Sequence, residues 1–403
     1  MTRSSARCLT TLVALCINVS APGVADETLA EAAKRLAAET ERGDHPGVLS
    51  FHLVKDGSLI AAGVERGGRT GPDLRSATKS VTALLVGIAL ERGNIPSLRS
   101  RVADLLPAYR ELLQKDPRKA AITVEDLLTM RSGLDCDDWQ AGSPGHEDTM
   151  YEQRDWLAFW ARVPARVEPG QRFSYCTGNA VALGAIVSRA TGMRFDEFAA
   201  RHLFKPLGID SARWASWNRG QEIDSGGHLR LAPDDFVRIG ELVLAGGLWR
   251  GDETKQGQQI VSKEWIARMT TAHTDIPGRK QRYGYLWWID ETSQPNLPKT
   301  RLLMAMGNGG NLLIVMPEIS AVAAFTGKRF NKPDALEPLA WLRDRILPRV
   351  VLSASAAPPS PPRPRRRAHR DRKRGQSPLV PKKGTVPFSS RLPRRSPGPR
   401  PCP

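Results

Sequence analysis

The stretch "RSATKSVTALLVGIALERG", residues 75 to 93, carries the strongest indication of both fold and chemistry in this chain. Ser76 and Lys79 stand three positions apart, and a long apolar run follows them at once. On a helix, residues i and i+3 share a face, so the serine hydroxyl and the lysine amine would meet. Two interpretations are open: a basic surface helix, or a nucleophile with its proton acceptor at the start of a buried helix.

The second interpretation makes a prediction about Lys79. A helix that begins at Ser76 would place its hydroxyl near the positive end of the helix dipole. Lys79 would lie one turn deeper, beside Val81, Leu84 and Leu85. Burial there would lower the pKa of the ammonium group toward that of a useful base. A Ser-x-x-Lys pair also recurs in unrelated chains, mostly on solvated helix faces or at N-caps, so other segments must decide.

The two ends of the chain both predict strands. Residues 26–42 have apolar positions at helical spacing and predict a surface helix. In residues 47–67, two apolar runs flank Asp56-Gly57, which is typical of a β-hairpin. Three short apolar runs in residues 301–327 are separated by glycines and by a Pro-Glu pair, and they predict adjacent antiparallel strands.

The middle of the chain, from about residue 95 to 240, predicts helices and loops, and residues 333–351 predict a closing amphipathic helix. This order predicts an α/β (α+β) fold: one antiparallel sheet built from both termini, flanked by helices, with a mostly helical lobe inserted. A cleft between sheet and lobe is the usual place for a ligand site.

The net charge of +17 lies mainly outside this predicted domain. Residues 353–403 contain fourteen Lys or Arg residues against one acid, Asp371, which leaves +4 for the rest of the chain. The tail is rich in Pro and Arg and predicts disorder. We therefore expect no nucleic-acid binding by the folded domain. The tail either contacts nucleic acid or an anionic surface, or it is a solvated extension without function.

The N-terminus predicts export. A basic start, the apolar run "LTTLVALCINV" and small residues before residue 26 are typical of a secretory signal in residues 1–25. Cleavage after Ala25 is the simplest choice, with Ala21 as an alternative; a lipoprotein signal at Cys16 and an ordinary buried helix are the other interpretations. We expect a periplasmic or secreted protein with a domain at residues 26–352. Cys8 and Cys16 would leave with the signal and Cys402 lies in the tail, so that domain keeps Cys136 and Cys176, as a disulfide or as two buried thiols.

Six segments resemble, in order and spacing, the serine β-lactamase and penicillin-binding-protein superfamily, over roughly residues 40 to 345. The branch most similar is class C-like and includes esterases and aminohexanoate-dimer hydrolases. Ser-x-x-Lys is a known element of the superfamily. After the Ser76 segment, the other five are "ITVEDLLTMRSGLD" (122–135), "PGQRFSYCTGNAVALGAIVSRATG" (169–192), "GGHLRLAPDDFVRIGELVLAGGLWRG" (226–251), "YGYLWW" (283–288) and "AMGNGGNLLIVMPE" (305–318).

The resemblance implies a β-lactamase/transpeptidase-like fold and a role for each matching residue. Ser76 matches the nucleophile that forms an acyl-enzyme, and Lys79 matches the lysine that receives or relays its proton. Tyr175 matches the tyrosine that helps activate the nucleophile and protonates the leaving group. The Lys79 ammonium would favour the Tyr175 phenolate, so we expect the two to titrate as a coupled pair.

The chain departs from the superfamily at two positions that contact substrate. Thr177 stands where class C enzymes have the Asn that holds a substrate amide, and Asn179 lies two residues further on. The strand beside the nucleophile carries Gly307, Asn308 and Gly309 without the Lys or His that meets a β-lactam carboxylate. A glycine there lets the strand edge approach substrate, and we expect the backbone N–H of Asn308 or Gly309 to join that of Ser76 in an oxyanion hole.

Other residues allow two interpretations each. Trp139, Trp287 and Trp288 either line the cleft or belong to the core. His228 either reaches the site or is structural. The resemblance implies no metal and no cofactor, and Asp135, Asp137 and Asp138 are then loop caps rather than ligands. The resemblance also brings the loop after "RSGL" close to the tyrosine segment, and from this we expect a Cys136–Cys176 disulfide.

The sequence thus predicts an exported serine hydrolase that cleaves small esters or amides through an acyl-enzyme, most simply an esterase. The alternatives are a D,D-peptidase or β-lactamase, which the two departures disfavour, and a catalytically silent ligand-binding relative.

Overall fold

A computed structural model describes residues 27–250 and 257–350. The predicted signal at residues 1–25 and the predicted tail at residues 353–403 lie outside the described residues, and so do Cys8, Cys16 and Cys402. Across the two described ranges, every helix is too short or too polar to cross a membrane.

An eight-stranded antiparallel sheet forms the centre of the fold. Its strand order is β2-β1-β12-β11-β10-β9-β8-β7, so the first and last strands of the chain, β1 and β12, are hydrogen-bonded neighbours. The prediction of one sheet built from both termini is confirmed. Its strands are β1 (Val48–Lys55), β2 (Ser58–Val64), β7 (Thr274–Asp275), β8 (Arg282–Tyr283), β9 (Trp288–Thr292), β10 (Thr300–Gly307), β11 (Asn311–Met316) and β12 (Ala321–Gly327). Two small hairpins lie apart: β3 (Ser216–Trp217) with β4 (Glu222–Ile223), and β5 (Leu248–Trp249) with β6 (Gln258–Gln259).

The hairpin between β1 and β2 turns at Asp56 and Gly57, as predicted. Both residues have positive φ, 51° and 72°, which suits a two-residue turn that follows the twist of the strands. Every residue of β1, β11 and β12 is buried. Burial of both faces requires layers on both sides of the sheet, and this explains why these strands are continuous apolar runs rather than alternating ones.

The helices cover the sheet and build the inserted region. α1 begins with a capping box between Thr28 and Glu31 and packs on β1 and β2, and α11 packs on β11 and β12. The region from 95 to 240 is helices and loops, as predicted, and it also holds the β3–β4 hairpin. The helices are α1 (Leu29–Arg42), α2 (Thr78–Glu91), α3 (Val102–Leu105), α4 (Arg110–Gln114), α5 (Pro117–Ala121), α6 (Val124–Leu128), α7 (Glu147–Tyr151), α8 (Trp156–Arg162), α9 (Thr177–Thr191), α10 (Phe195–Ala199), α11 (Pro233–Leu244), α12 (Lys263–Met269) and α13 (Glu337–Trp341).

Helix α2 lies inside the molecule. All of its residues from Thr78 to Ala89 are buried, and it packs against both α9 and the end of β10. The surface-helix interpretation of residues 75–93 is therefore wrong. A helix with apolar residues on every side needs neighbours on every side, and the inserted helices supply them.

The closing segment is helical but is not the single amphipathic helix that its pattern predicts. A 3₁₀ turn at Pro333–Leu336 leads into α13, a π-helical turn at Leu342–Ile346 follows, and a second 3₁₀ turn ends at Arg349. Pro338 and Pro348 have no N–H to donate, and this interrupts regular i→i−4 bonding.

Candidate active site

Ser76 and Lys79 meet at the start of α2. Ser76 lies in a 3₁₀ turn, Arg75–Ala77, and is partly exposed. The Lys79 Nζ donates to the Ser76 Oγ at 3.1 Å and to the carbonyl oxygen of Gly226 at 2.7 Å. The lysine side chain is only 1% exposed, so its amine faces the serine and not bulk water. The geometry places a proton-transfer partner directly beside a serine hydroxyl.

The turn that presents Ser76 is held by its neighbours. Arg75 has φ of 50°, a left-handed conformation that costs a non-glycine residue about 1–3 kcal/mol. The Asp73 carboxylate accepts the Arg75 N–H at 2.8 Å and supports this conformation. The same carboxylate meets His228 Nδ1 at 2.8 Å. His228 thus contacts the loop before Ser76, and its pKa is raised, chiefly by the hydrogen bond to Asp73.

Tyr175 completes the group of three. Its side chain is 6% exposed and lies just before α9, and interaction with the Ser76 hydroxyl acts to lower the pKa of its phenol. The Lys79 Nζ lies 5.1 Å from the centre of the Tyr175 ring. The structure therefore brings together the three residues that the resemblance implies, although they come from segments a hundred residues apart.

The expected pKa of Lys79 is wrong in direction. Burial lowers it, but the charges of Tyr175, Glu147, Asp138 and Asp224 outweigh burial and raise the pKa of Lys79 above its ordinary value. The apolar neighbours of Lys79 on α2 alone would lower the pKa of its ammonium group. Three carboxyl groups that face the amine come from other segments.

The pKa of Tyr175 also moves against expectation. Burial raises it, and the opposing effects of Lys79 and of the Ser76 hydrogen bond do not reverse that direction. Both pKa directions favour the protonated forms of the two groups. The pair must lose one proton before either group can accept the serine proton.

The carboxyl groups around Lys79 form a network through Thr177. Asp138 accepts the backbone N–H of Thr177 at 2.6 Å and that of Glu147 at 2.9 Å. The Thr177 hydroxyl donates to Glu147 Oε2 at 2.6 Å. Burial, together with the charge of Glu147, raises the pKa of Asp138 to about 6. Asp138 is thus a loop cap that also shapes the field at Lys79, while nothing in the sequence around Glu147 pointed to the site.

A third carboxyl group orients the loop that binds Lys79. Asp224 accepts the N–H groups of Gly226 and Gly227 at 3.0 and 2.9 Å. These bonds turn the Gly226 carbonyl toward the lysine. Burial raises the pKa of Asp224 to about 6. Within the described ranges, no group of three or more His, Cys, Asp or Glu residues is arranged to hold a metal ion.

The glycine segment lies against the Ser76 turn. A Cβ on Gly307 would stand 2.0 Å from the carbonyl oxygen of Leu74 and 3.0 Å from the amide nitrogen of Ala77, so only glycine allows this approach. The side chain of Asn308 bonds to Asn331 instead of pointing at the serine, and Gly309 accepts the N–H of Arg329. Gly307 is therefore the residue of this segment that lies directly against the Ser76 turn.

Cys136 and Cys176 form a disulfide with an S–S distance of 2.02 Å. The bond joins the loop that carries Asp138 to the residue after Tyr175. Two further bonds support the same contact: the Asp138 N–H donates to the Tyr175 carbonyl at 2.8 Å, and the Ser174 hydroxyl donates to the Cys136 carbonyl at 2.6 Å. The loop and the tyrosine segment are thus a single tethered unit.

The tryptophans divide between cleft and core. Trp139 is 44% exposed and stacks on the Tyr175 ring at 5.2 Å, and Trp288 contacts the same ring at 5.7 Å. Trp287 is fully buried and donates to the Ser80 carbonyl at 3.3 Å. Asn179 is also buried and accepts a hydrogen bond from Trp160, so it does not take the place of the missing Asn at position 177.

With the geometry in place, the chain can be compared with known proteins. The sequence profile of the Beta-lactamase family matches residues 32–346. The chain belongs to the Beta-lactamase family. Members of this family with the Ser-x-x-Lys arrangement are serine hydrolases. The family assignment that the six segments indicated is confirmed.

The names of individual similar proteins point to different activities. "Protein Rv1367c" of Mycobacterium tuberculosis is 28% identical over 254 residues, 54% of this chain and 63% of its own length. The 6-aminohexanoate-dimer hydrolase of Paenarthrobacter ureafaciens is 26% identical over 203 residues, 48% of this chain and 49% of its own. This chain therefore spans less than two thirds of these curated relatives. The structure of EstCE1, "a hydrolase with promiscuous acyltransferase activity", superposes with a TM-score of 0.60 at 17% identity, over 80% of this chain and 100% of that one.

Proposed function

We propose that this chain hydrolyses small esters or amides through an acyl-enzyme on Ser76, with esters as the preferred substrates. The observation that carries the proposal is the contact of Ser76 Oγ with Lys79 Nζ at 3.1 Å, with the ring of Tyr175 centred 5.1 Å from the same Nζ. A serine hydroxyl is a weak nucleophile until a neighbour accepts its proton, and here two candidates stand beside it.

The proposed reaction begins when the Lys79–Tyr175 pair loses one proton. The pair then accepts the Ser76 proton as Oγ bonds to the substrate carbonyl carbon. Backbone N–H groups of Ser76 and of the residue after Gly307 stabilise the oxyanion. Tyr175 returns a proton to the leaving alcohol or amine as its bond to the carbonyl breaks. Water then attacks the acyl-enzyme, the pair takes the water proton, and the acid leaves as Ser76 regains its own.

Two observations favour esters or simple amides over β-lactams. On β10, the two residues immediately before Gly307 are Ala305 and Met306, so no basic side chain stands directly before the glycine segment. The Thr177 hydroxyl donates its hydrogen bond to Glu147, so that hydrogen is not available to a substrate amide. An ester needs no amide partner at that position, because its leaving oxygen has no N–H to place.

The test is covalent labelling together with turnover. A fluorophosphonate should label wild-type protein on the peptide that contains Ser76, and Ser76→Ala should not be labelled. 4-Nitrophenyl acetate should be hydrolysed faster than nitrocefin. If well-folded wild-type protein neither reacts with the probe nor turns over esters, the protein is a binder and the proposal is wrong. Faster turnover of nitrocefin would favour the β-lactamase alternative.

We further propose that the chain is exported. The N-terminal pattern and the disulfide support this, because disulfides persist in oxidising compartments. Mass spectrometry of the protein from a periplasmic or culture fraction should give a chain that begins at Asp26 or at Pro22. An intact N-terminus on protein retained in the cytoplasm would contradict export.

A further inference from the structure

Arg279 lies beside the candidate active site, against the rings of Trp139 and Trp288, which we call the aromatic shelf. It belongs to the turn between β7, which is an edge strand of the sheet, and β8, and it is exposed. Its guanidinium carbon stands 4.7 Å from the centre of the Trp139 ring and 5.7 Å from that of Trp288. Cation–π contact with two indole rings holds a long side chain that would otherwise sample many rotamers.

The shelf connects Arg279 to the reacting groups. The Trp139 ring is nearly parallel to the Tyr175 ring, with centres 5.2 Å apart and 9° between the planes, and Trp288 packs on the same tyrosine. Arg279 therefore lies one ring further out than Tyr175. In the proposed function, on which this inference rests, Tyr175 protonates the leaving group, so the shelf lies on the leaving-group side of the cleft.

The electrostatics around Arg279 leave its donors available. Within residues 27–250 and 257–350, no carboxylate lies within salt-bridge distance of its guanidinium. The tryptophans contact the guanidinium across its face, and the N–H donors along its edge remain free for an anion. The one basic residue of β10, Arg301, is bound to Glu318. Arg279 is then the cation placed to meet an anionic group of a substrate in this part of the cleft.

We propose that Arg279 is a specificity-determining residue that binds a carboxylate carried by the leaving group of the ester or amide substrate. The substrate class would be acyl esters of hydroxy acids, or acyl amides of amino acids, in which several bonds separate the carboxylate from the scissile carbonyl. A bidentate guanidinium–carboxylate contact gives both attraction and orientation.

A matched pair of esters tests the proposal. 4-Acetoxybenzoate releases a leaving group with a carboxylate, and methyl 4-acetoxybenzoate releases the same ring without the charge. The quantity measured is kcat/KM for each ester in wild type, Arg279→Gln and Arg279→Lys. Taking the ratio between variants cancels the difference in intrinsic reactivity. Lys280→Gln is the control, because it removes one positive charge from the same exposed turn.

The expected result is a loss of about five- to tenfold in kcat/KM for the anionic ester in Arg279→Gln, with the methyl ester changed less than twofold. Arg279→Lys should recover part of the loss, and Lys280→Gln should cause none. Raising the salt concentration should weaken the preference of wild type for the anionic ester.

Two results would overturn the proposal while the proposed function stands. The first is an equal effect of Arg279→Gln on kcat/KM for both esters. The second is a preference only for a carboxylate on the acyl side, measured with 4-nitrophenyl hydrogen succinate against 4-nitrophenyl butyrate. Labelling of Ser76 and turnover of the methyl ester would persist in both cases. If wild type hydrolyses none of these esters and Ser76 is not labelled, the proposed function fails and this inference fails with it.

Discussion

The two halves of the candidate site are built in different ways. Lys79 belongs to a helix that is buried on all sides, and Ser76 lies in the 3₁₀ turn just before that helix, where Asp73 supports the backbone of Arg75. Tyr175 and the acidic groups depend on the loop from Cys136 to Glu147, which is held by a disulfide and by hydrogen bonds and which exposes Trp139. Ser76 and Lys79 are thus held by α2 and the turn before it, whereas Tyr175 and the exposed Trp139 are held by a tethered loop. Changes in the two halves should have different consequences.

The largest effect is expected from the core half. Ser76→Ala should reduce ester turnover by about a thousandfold or more, because it removes the hydroxyl on which the proposed acyl-enzyme forms. The fold should be unaffected, since the serine is partly exposed and the change removes one oxygen atom. Turnover of 4-nitrophenyl acetate and thermal unfolding by circular dichroism check both statements. Activity close to wild type would place the nucleophile elsewhere.

The next effect comes from breaking the tether. The double variant Cys136→Ser/Cys176→Ser should lose about 2–4 kcal/mol in the free energy of unfolding, because the bond closes a loop between residues 40 positions apart. We also expect a fall in kcat of about tenfold, since the loop positions the backbone of Tyr175. Urea unfolding and ester kinetics measure the two effects. Wild type treated with a reductant should match the variant, and Cys402→Ser is the control. Unchanged kinetics would show that the tether serves stability alone.

A smaller effect is expected from changes at two tryptophans, the exposed Trp139 and the buried Trp287, which should alter KM and stability respectively. Trp139→Ala should raise KM by about three- to tenfold with little loss of stability, because the ring is 44% exposed and lines the cleft. Trp287→Phe is the matched comparison. It should lower stability by about 1–3 kcal/mol with little change in KM, since its buried N–H bonds to Ser80. The reverse pattern would assign Trp139 to the core instead of the cleft.

The smallest effect is a shift in pH dependence. The pKa values of Lys79 and Tyr175 are both raised, so turnover should increase with pH as the pair loses a proton. Glu147 raises the pKa of Lys79, and removing its charge should move the rising limb of the kcat/KM profile to lower pH. Glu147→Gln keeps the shape of the side chain, and Asp148→Asn, on the exposed neighbour, is the control. A limb that stays in place would mean that Glu147 does not act on the pair.

Much of the fold was predictable because it rests on local patterns. The β1–β2 hairpin follows from Asp56-Gly57 between apolar runs, and the three strands near residue 310 follow from apolar runs broken by glycine and proline. The closing helix was not predictable in detail, because the π and 3₁₀ turns around Pro338 and Pro348 depend on local backbone bonding that an apolar period does not reveal.

The sequence by itself determined the family, the Ser76–Lys79 pair and the glycine that approaches it, because these depend on residue type and spacing along the chain. The tertiary structure decided the direction in which the pKa of Lys79 is shifted. Asp138 and Glu147 belong to one loop and Asp224 to another, and their charges oppose the effect of the burial that α2 alone would predict for Lys79. Tertiary structure also decided that Trp139 is exposed and stacks on Tyr175, whereas Trp287 is part of the core. Electrostatic interactions act through space between segments distant in sequence, so a linear pattern shows which groups exist but not which of them face one another.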